Sequence, residues 1–146
     1  MPKIITDKNK IEEILTRGVE NIYPNRETLE KILLSGKKLR IYNGIDPTGK
    51  LHVGHGVVLL KLKQLQQLGH RVIVLIGDFT GMIGDPTDKL ATRQPLTRAQ
   101  VAVNAKNYKK LIGKILDPKK TLFKFNASWW KKVTADKFLE LASELS

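Results

Sequence analysis

LRIYNGIDPTGKLHVGHGVVLLKLKQLQQLGHRVIVLI, residues 39–76, reads as a strand, a turn, a helix and a second strand. Leu39 to Ile45 has β character and runs into a turn rich in Gly, Pro and Thr. An apolar helical run, Val57 to Leu68, follows within a helix predicted near 53–68 and ended by Gly69. The second strand, Val72 to Ile76, is almost wholly apolar, as expected where a parallel sheet is covered on both faces. The stretch is therefore a crossover unit joining two parallel strands.

Its turn has the makings of a phosphate site. A Gly-rich turn lets backbone approach a polyphosphate, and the unpaired N–H groups opening the next helix carry partial positive charge. His52 and His55, spaced i and i+3, fall on one face of that first turn. A lone helical histidine is more often packed or solvated than a ligand. Metal ligation by this pair finds no third ligand at a suitable spacing.

Two short helices are predicted upstream: residues 7–17, with Ile11, Ile14 and Leu15 on one face, and residues 26–35 between Asn25 and Gly36. Downstream, residues 77–95 lack clear periodicity, and a connection of that length in a compact domain is usually functional or disordered; the functional reading is favoured. Thr97 and Gln100 make a capping box for a helix with Val101, Ala105, Tyr108, Ile112 and Ile115 inward, which Asp117-Pro118 ends. A third strand is predicted at residues 121–125, and a helix from about residue 135 that Thr134 can cap. This order is that of a Rossmann-like, doubly wound α/β parallel sheet, first half only, whose ligand crevice lies beyond the carboxyl ends of the strands. The loops 44–55 and 77–95 then face one pocket. The expected division is an N-terminal helical arm, residues 1–37, and the α/β half, residues 38–146.

Composition narrows the classes of function. The absence of cysteine removes disulfides, thiolate metal sites and cysteine nucleophiles, and fits a reducing, cytoplasmic setting. No apolar window approaches a membrane span, so the chain is expected to be soluble and free of membrane. A formal charge of +12 favours polyanionic partners, nucleotide or RNA. Lys106, Lys109, Lys110, Lys114, Lys119, Lys120, Lys124, Lys131 and Lys132 form either a solvated basic face or a nucleic-acid track, and charge alone does not separate the two. Trp129 and Trp130 are read as packing beneath a loop or at a subunit contact rather than as RNA stackers. His70, after the helix-ending Gly69, is read as a cap or dipole contact.

His52-Val53-Gly54-His55 resembles the HIGH signature of class I aminoacyl-tRNA synthetases. Together with Gly44-Ile45-Asp46-Pro47-Thr48, Gly69-His70, Leu75-Ile76-Gly77, Thr80, Ile83-Gly84-Asp85-Pro86-Thr87 and Lys89, it looks like the bacterial tyrosyl-tRNA synthetase family, from about residue 39 onward. The resemblance implies activation of tyrosine by ATP, supplied as its Mg2+ complex with no tightly bound cofactor, and transfer of tyrosine to tRNA(Tyr). It implies that Thr48 and His52 hold the departing phosphates, that His55 contacts the ribose side, and that Gly54 admits the adenine. Backbone at Gly44 and Asp46 would meet the nucleotide, the latter at its α-phosphate. Tyr42, Thr80 and Asp85 would bind tyrosine, and Lys89 and Arg93 would close over pyrophosphate. Asn43 and Asp88 depart from the family pattern.

The family's domain continues past residue 146, through a second Rossmann half with a KMSKS loop, so the chain reads as a fragment, weakly active or inactive alone, of a full-length homodimer. Two other readings stay open on the residues: a nucleotidylyltransferase using the same H-x-G-H helix, and a non-catalytic basic RNA-binding module.

Overall fold

Helices α1 (Lys8–Thr16) and α2 (Arg26–Leu34) precede strand β1 (Arg40–Ile45), and α3 (Val53–Gln67) connects it to β2 (Arg71–Ile76). A 3₁₀ turn, Thr80–Met82, and α4 (Arg98–Ile112) lead to β3 (Thr121–Phe125), followed by α5 (Ala127–Trp130) and α6 (Ala135–Ser143). The structure, a computed structural model, describes residues 4–83 and 95–144. The strands form one parallel sheet in the order β1-β2-β3, with Tyr42 beside Ile73, Gly44 beside Leu75 and Val74 beside Phe123.

Alternation along β2 decides where the core sits. Val72, Val74 and Ile76 are completely buried against Leu59 and Leu62 of α3 and Ala105, Tyr108 and Ile112 of α4. Burial of each such aliphatic side chain contributes about 1.5–3 kcal/mol. Ile73 and Leu75, on the opposite face, are only half-buried, and Tyr42 beside them is 72% exposed. The expectation of a sheet covered on both faces is therefore corrected: both crossover helices lie on one face. The reason is topological. A chain that steps from β1 to β2 to β3 in one direction with crossovers of one hand puts successive helices on the same side. Covering the other side requires a reversal of strand order, which the order β1-β2-β3 does not contain.

The arm has its own core, Ile11, Ile14, Leu15 and Leu33, closed by Leu68 at the end of α3. Asp7 caps α1 through the Lys10 N–H (2.9 Å), so the helix starts at Lys8, and Asn25 caps α2 through the Thr28 N–H (2.9 Å). The two helices are also tied by an ion pair between Arg26 and Glu12. Lys61 of α3 donates to the carbonyls of Ile14 and Arg17, both at 2.8 Å, which pins the C-terminal end of α1 to the α/β unit. Burial lowers the Lys61 pKa, and the neighbouring Glu13 opposes that shift.

Three boundaries carry physical content. Gly69, at φ +97°, ends α3, and the His70 N–H returns to the Leu65 carbonyl (3.3 Å), turning the chain into β2. Helix α4 stops at Ile112, one turn before Asp117-Pro118, and Ile115 and Leu116 pack from the turn that follows. Buried Gln66 anchors that turn: its Oε1 accepts from the Asp117 N–H (2.9 Å), and its Nε2 donates to the Thr121 hydroxyl (2.9 Å) and the Asp117 carbonyl (3.4 Å). Thr134 occupies the N-cap of α6 but makes no capping hydrogen bond with its side chain.

Replacing Gln66 by Leu strands these buried groups, so Gln66→Leu should destabilise the chain by about 1–3 kcal/mol in urea unfolding. Gln67→Leu, at the exposed neighbouring position, should change stability by less than about 0.5 kcal/mol. Equal effects at the two positions would remove the anchoring role.

Candidate active site

Each strand ends on a polar loop at the same edge of the sheet, and side chains from the three loops meet there. Asp46 follows β1, Gly77 follows β2 and Asn126 follows β3. The ladder continues briefly past the strands, with the Gly77 N–H donating to the Ile45 carbonyl (2.9 Å) and the Asn126 N–H to the Ile76 carbonyl (3.1 Å). The Thr80 hydroxyl donates to Asp46 Oδ1 at 2.7 Å and accepts from Asn126 Nδ2 at 3.0 Å. Asn126 is 7% exposed, and its Oδ1 accepts from the Phe79 N–H at 2.8 Å. Asp78 receives the Ala127 N–H at 2.9 Å. These bonds frame a cleft of about 350 Å³ lined by Gly44, Asp46, Leu75, Gly77, Thr80 and Asn126.

Glycine is required where the two loops touch. A Cβ on Gly77 would lie 1.6 Å from Asp46 Oδ1 and 2.5 Å from the Thr80 hydroxyl oxygen, and one on Gly81 would press on the Pro47 ring at 3.2 Å. Pro47 is completely buried, and its carbonyl accepts from Asn104 Nδ2 of α4 at 2.9 Å. The Thr48 N–H is turned back to the Asp46 carbonyl at 2.9 Å. The two unusual loops thus meet, as expected, through the described part of the second one.

Beyond this turn the histidines cap α3 with each other's backbone. His52 is the N-cap, and its Nδ1 accepts from the Gly54 N–H at 3.2 Å. The His52 N–H donates to His55 Nδ1, also at 3.2 Å. A capping box ordinarily uses Ser or Thr with Glu or Gln; here two imidazoles fill both places. Their ring centroids are 4.0 Å apart, and His55 meets Tyr108 edge-on at 6.4 Å. Because each Nδ1 accepts, each neutral ring carries its proton on Nε2. Neither Nε2 has a partner among the described residues, so the pair offers two N–H donors beside the positive end of α3. Burial, and then the nearby His52, lower the pKa of His55, which keeps the ring neutral near pH 7. Gly54 has a local role as well: a Cβ there would meet the His52 ring at 3.1 Å.

Gly44, Asp46 and Thr80 thus share the cleft. Gly54, His52 and His55 form the adjoining helix start, with half-buried Thr48 in the intervening turn. Tyr42 lies two residues before Gly44 on the same exposed face of β1. Asp85, Lys89 and Arg93, and the departure at Asp88, lie outside the described residues. Among the described residues no third acidic or histidine side chain joins His52 and His55 in a group able to hold a metal ion. Asn126 and Asn104 were not singled out from the sequence. Position gives the only signal for Asn126, the first residue after a predicted strand. Trp130 stacks on Phe79 at 5.6 Å, as packing, whereas Trp129 is 42% exposed.

The crevice at the strand ends and the donor-bearing helix start have the plan of an open α/β domain that holds its ligand at the carboxyl edge of the sheet. The chain belongs to the class I tRNA synthetases of the W and Y type, whose family model matches residues 34–146. It is 53% identical over 140 residues to a tyrosine--tRNA ligase of Colwellia psychrerythraea, covering 95% of this chain and 35% of the relative. A tyrosine--tRNA ligase of Desulfotalea psychrophila is 52% identical over 138 residues, covering 92% and 34%. The chain therefore spans about a third of the length of the curated relatives it matches. Among solved structures, tyrosyl-tRNA synthetase of Archaeoglobus fulgidus, complexed with L-tyrosine, superposes with a TM-score of 0.69 at 26% identity, over 94% of this chain and 40% of that one. A C-terminally truncated mitochondrial tyrosyl-tRNA synthetase of Aspergillus nidulans gives 0.70 at 25% identity, over 91% and 41%.

Two outcomes are expected from this geometry. Gly77→Ala should displace the Asp46 carboxylate from Thr80 and destabilise the chain by about 1–3 kcal/mol, read by thermal or urea unfolding; a wild-type melting curve would refute the contact. His55 and His70 are both held below their ordinary pKa of 6.5, burial being the larger cause in each. The folded chain therefore binds fewer protons than the unfolded one. The resulting stability is complete above about pH 6.5 and is lost as pH falls through the lowered folded values. In His55→Asn an amide oxygen accepts the His52 N–H without titrating, so the loss of stability from about pH 7.5 to about pH 5.5 should be smaller than in the parent. Identical pH profiles would dissociate the cap from the titration.

Proposed function

We propose that this chain is the ATP- and tyrosine-binding part of a tyrosine--tRNA ligase. The observation that carries the reading is the pair of imidazoles that cap α3 through Nδ1 and have no partner on either Nε2 among the described residues. Membership of the family and identity above 50% to tyrosine--tRNA ligases support it, and they favour it over a nucleotidylyltransferase using the same helix.

In the proposed reaction an oxygen of the tyrosine carboxylate attacks the α-phosphorus of ATP, which enters as its Mg2+ complex. The bond from that phosphorus to the bridging oxygen breaks, and pyrophosphate leaves. A hydroxyl of the terminal adenosine of tRNA(Tyr) then attacks the tyrosyl carbonyl, and AMP leaves. The carboxylate is already a competent nucleophile, so the protein's task is alignment and stabilisation of charge that grows on phosphate oxygens. Thr48 and His52 donate to the departing phosphates, and His55 to the ribose side. Because capping fixes each tautomer and ring before substrate arrives, these donors need little reorganisation in the transition state. Backbone at Gly44 and Asp46 faces the nucleotide, and the Asp46-Thr80-Asn126 bonds hold the cleft walls apart. Tyr42, 72% exposed in this chain, pairs with the substrate phenol, and it penalises phenylalanine to the extent that bound substrate removes its hydroxyl from water. Thr80 and Asp85 meet the tyrosine ammonium group, and Lys89 with Arg93 meets pyrophosphate.

The same proposal includes the division into an arm, residues 1–37, and an α/β half, residues 38–146, supported by two separate apolar clusters. It also includes a homodimer for the full-length protein, supported by exposed Phe138, Leu139 and Leu141 on α6. A cytoplasmic setting is supported by the lack of cysteine; no described helix is long and apolar enough to cross a membrane.

The test separates cap from catalyst. His52→Asn keeps a side-chain acceptor for the N-cap but removes the Nε2–H donor. In the full-length protein it should leave melting nearly unchanged and slow tyrosine-dependent ATP–pyrophosphate exchange roughly 10²–10³-fold, chiefly in kcat. Undiminished exchange would overturn the role of His52; exchange that does not depend on tyrosine would overturn the substrate.

A further inference from the structure

A second basic cleft lies at the opposite edge of the sheet, where the strands begin. It has a volume of about 540 Å³, and its lining includes Lys38, His70, Arg71, Lys119, Lys120 and Thr121. Each strand contributes: Lys38 stands just before β1, Arg71 opens β2, and Lys119 and Lys120 lead into β3. Asp117 offsets part of this charge, pairing with Lys120 at 3.7 Å and accepting the Lys119 N–H at 2.9 Å. Among the described residues no carboxylate pairs with the side chains of Lys38, Arg71 or Lys119.

Cations near helix C-termini have an ordinary explanation, since α3 and α4 both end at this edge and present partial negative charge. That explanation does not reach His70. The ring is 3% exposed, and its Nδ1 accepts from the Leu39 N–H at 3.4 Å, which leaves the proton of the neutral ring on Nε2. Nε2 is buried and has no hydrogen-bond partner among the described residues. An unmet buried donor is destabilising, and its neighbour Gln66, in the same wall, has both side-chain polar atoms engaged. A donor with no acceptor among the described residues, in a cleft where Lys38, Arg71 and Lys119 have no carboxylate partner among them, is complementary to a ligand that is anionic and only accepts.

We propose that this cleft binds a phosphate group, with His70 Nε2–H donating to one oxygen and Lys38, Arg71 and Lys119 neutralising the charge. Because His70 Nε2 is buried, binding requires the exposed side chains of Lys38, Arg71 and Lys119 to move aside as phosphate enters. Free phosphate and the phosphates of RNA share this chemistry. The proposal does not rest on tyrosine activation, because the cleft lies at the edge of the sheet away from His52 and His55.

The probe is inorganic phosphate, titrated into the 146-residue chain at constant ionic strength and followed by the imidazole ¹⁵N signals. The expected result is a saturable shift at His70 Nε2 that weakens roughly tenfold or more in Arg71→Gln and in Lys119→Gln, both surface changes, and persists in His52→Asn. Competition by a short 5′-phosphorylated RNA but not by its unphosphorylated form would support a terminal phosphate as the natural ligand. Competition by both would support the RNA backbone, and by neither, free phosphate. Shifts that do not saturate, that chloride reproduces, that are confined to His52 and His55, or that survive both charge-removing substitutions unchanged would overturn the site.

Discussion

Burial of Val72, Val74 and Ile76 in a strand paired on both edges is the constraint from which the remaining structure follows. With β1 and β3 parallel to β2, all three chains leave the sheet in one direction, so Asp46, Gly77 and Asn126 emerge together. The polar groups there satisfy one another across loops widely separated in sequence, Asp46 to Thr80 to Asn126. Gly77 makes the approach sterically feasible. The cleft is thus a consequence of strand parallelism and one missing Cβ.

Helix α3 shows stability and proposed chemistry using the same atoms. Its cap consumes the Nδ1 of both histidines and in doing so leaves both protons on Nε2. Burial, and then the nearby His52, lower the pKa of His55, which preserves the acceptor that the cap needs. A Ser or Asp cap would start the helix as well but would not present a paired set of outward N–H donors. The two imidazoles are therefore better understood as one unit with a structural nitrogen and a functional nitrogen on each ring.

Much of this plan is legible along the chain. The strand-turn-helix-strand at 39–76, the caps at Thr97 and Asn25, and the helix-ending Gly69 are local signals, written in periodicity and in residues with particular backbone preferences. The resemblance to tyrosyl-tRNA synthetases rests on short blocks concentrated in those same loops. Asn126, Asn104 and Gln66 escape such a reading because each acts on a partner at least 46 residues away, and an isolated Asn or Gln has no local signature of that role. Asp117-Pro118 marks the end of α4 a turn too late for the same reason: Ile115 keeps the apolar spacing, but it packs from the turn anchored by Gln66.

By itself the sequence determines the elements, their order, the phosphate-friendly turn and the basic charge, since these depend on contacts within a few residues or on composition. Tertiary structure alone decides which face of the sheet is covered, how Thr80 is shared between Asp46 and Asn126, and that the opposite edge gathers Lys38, Arg71 and Lys119 in one cleft with His70, whose Nε2 has no partner among the described residues. Those outcomes depend on which distant backbone and side-chain groups are brought within hydrogen-bond reach, and only the parallel stacking of the strands brings them there.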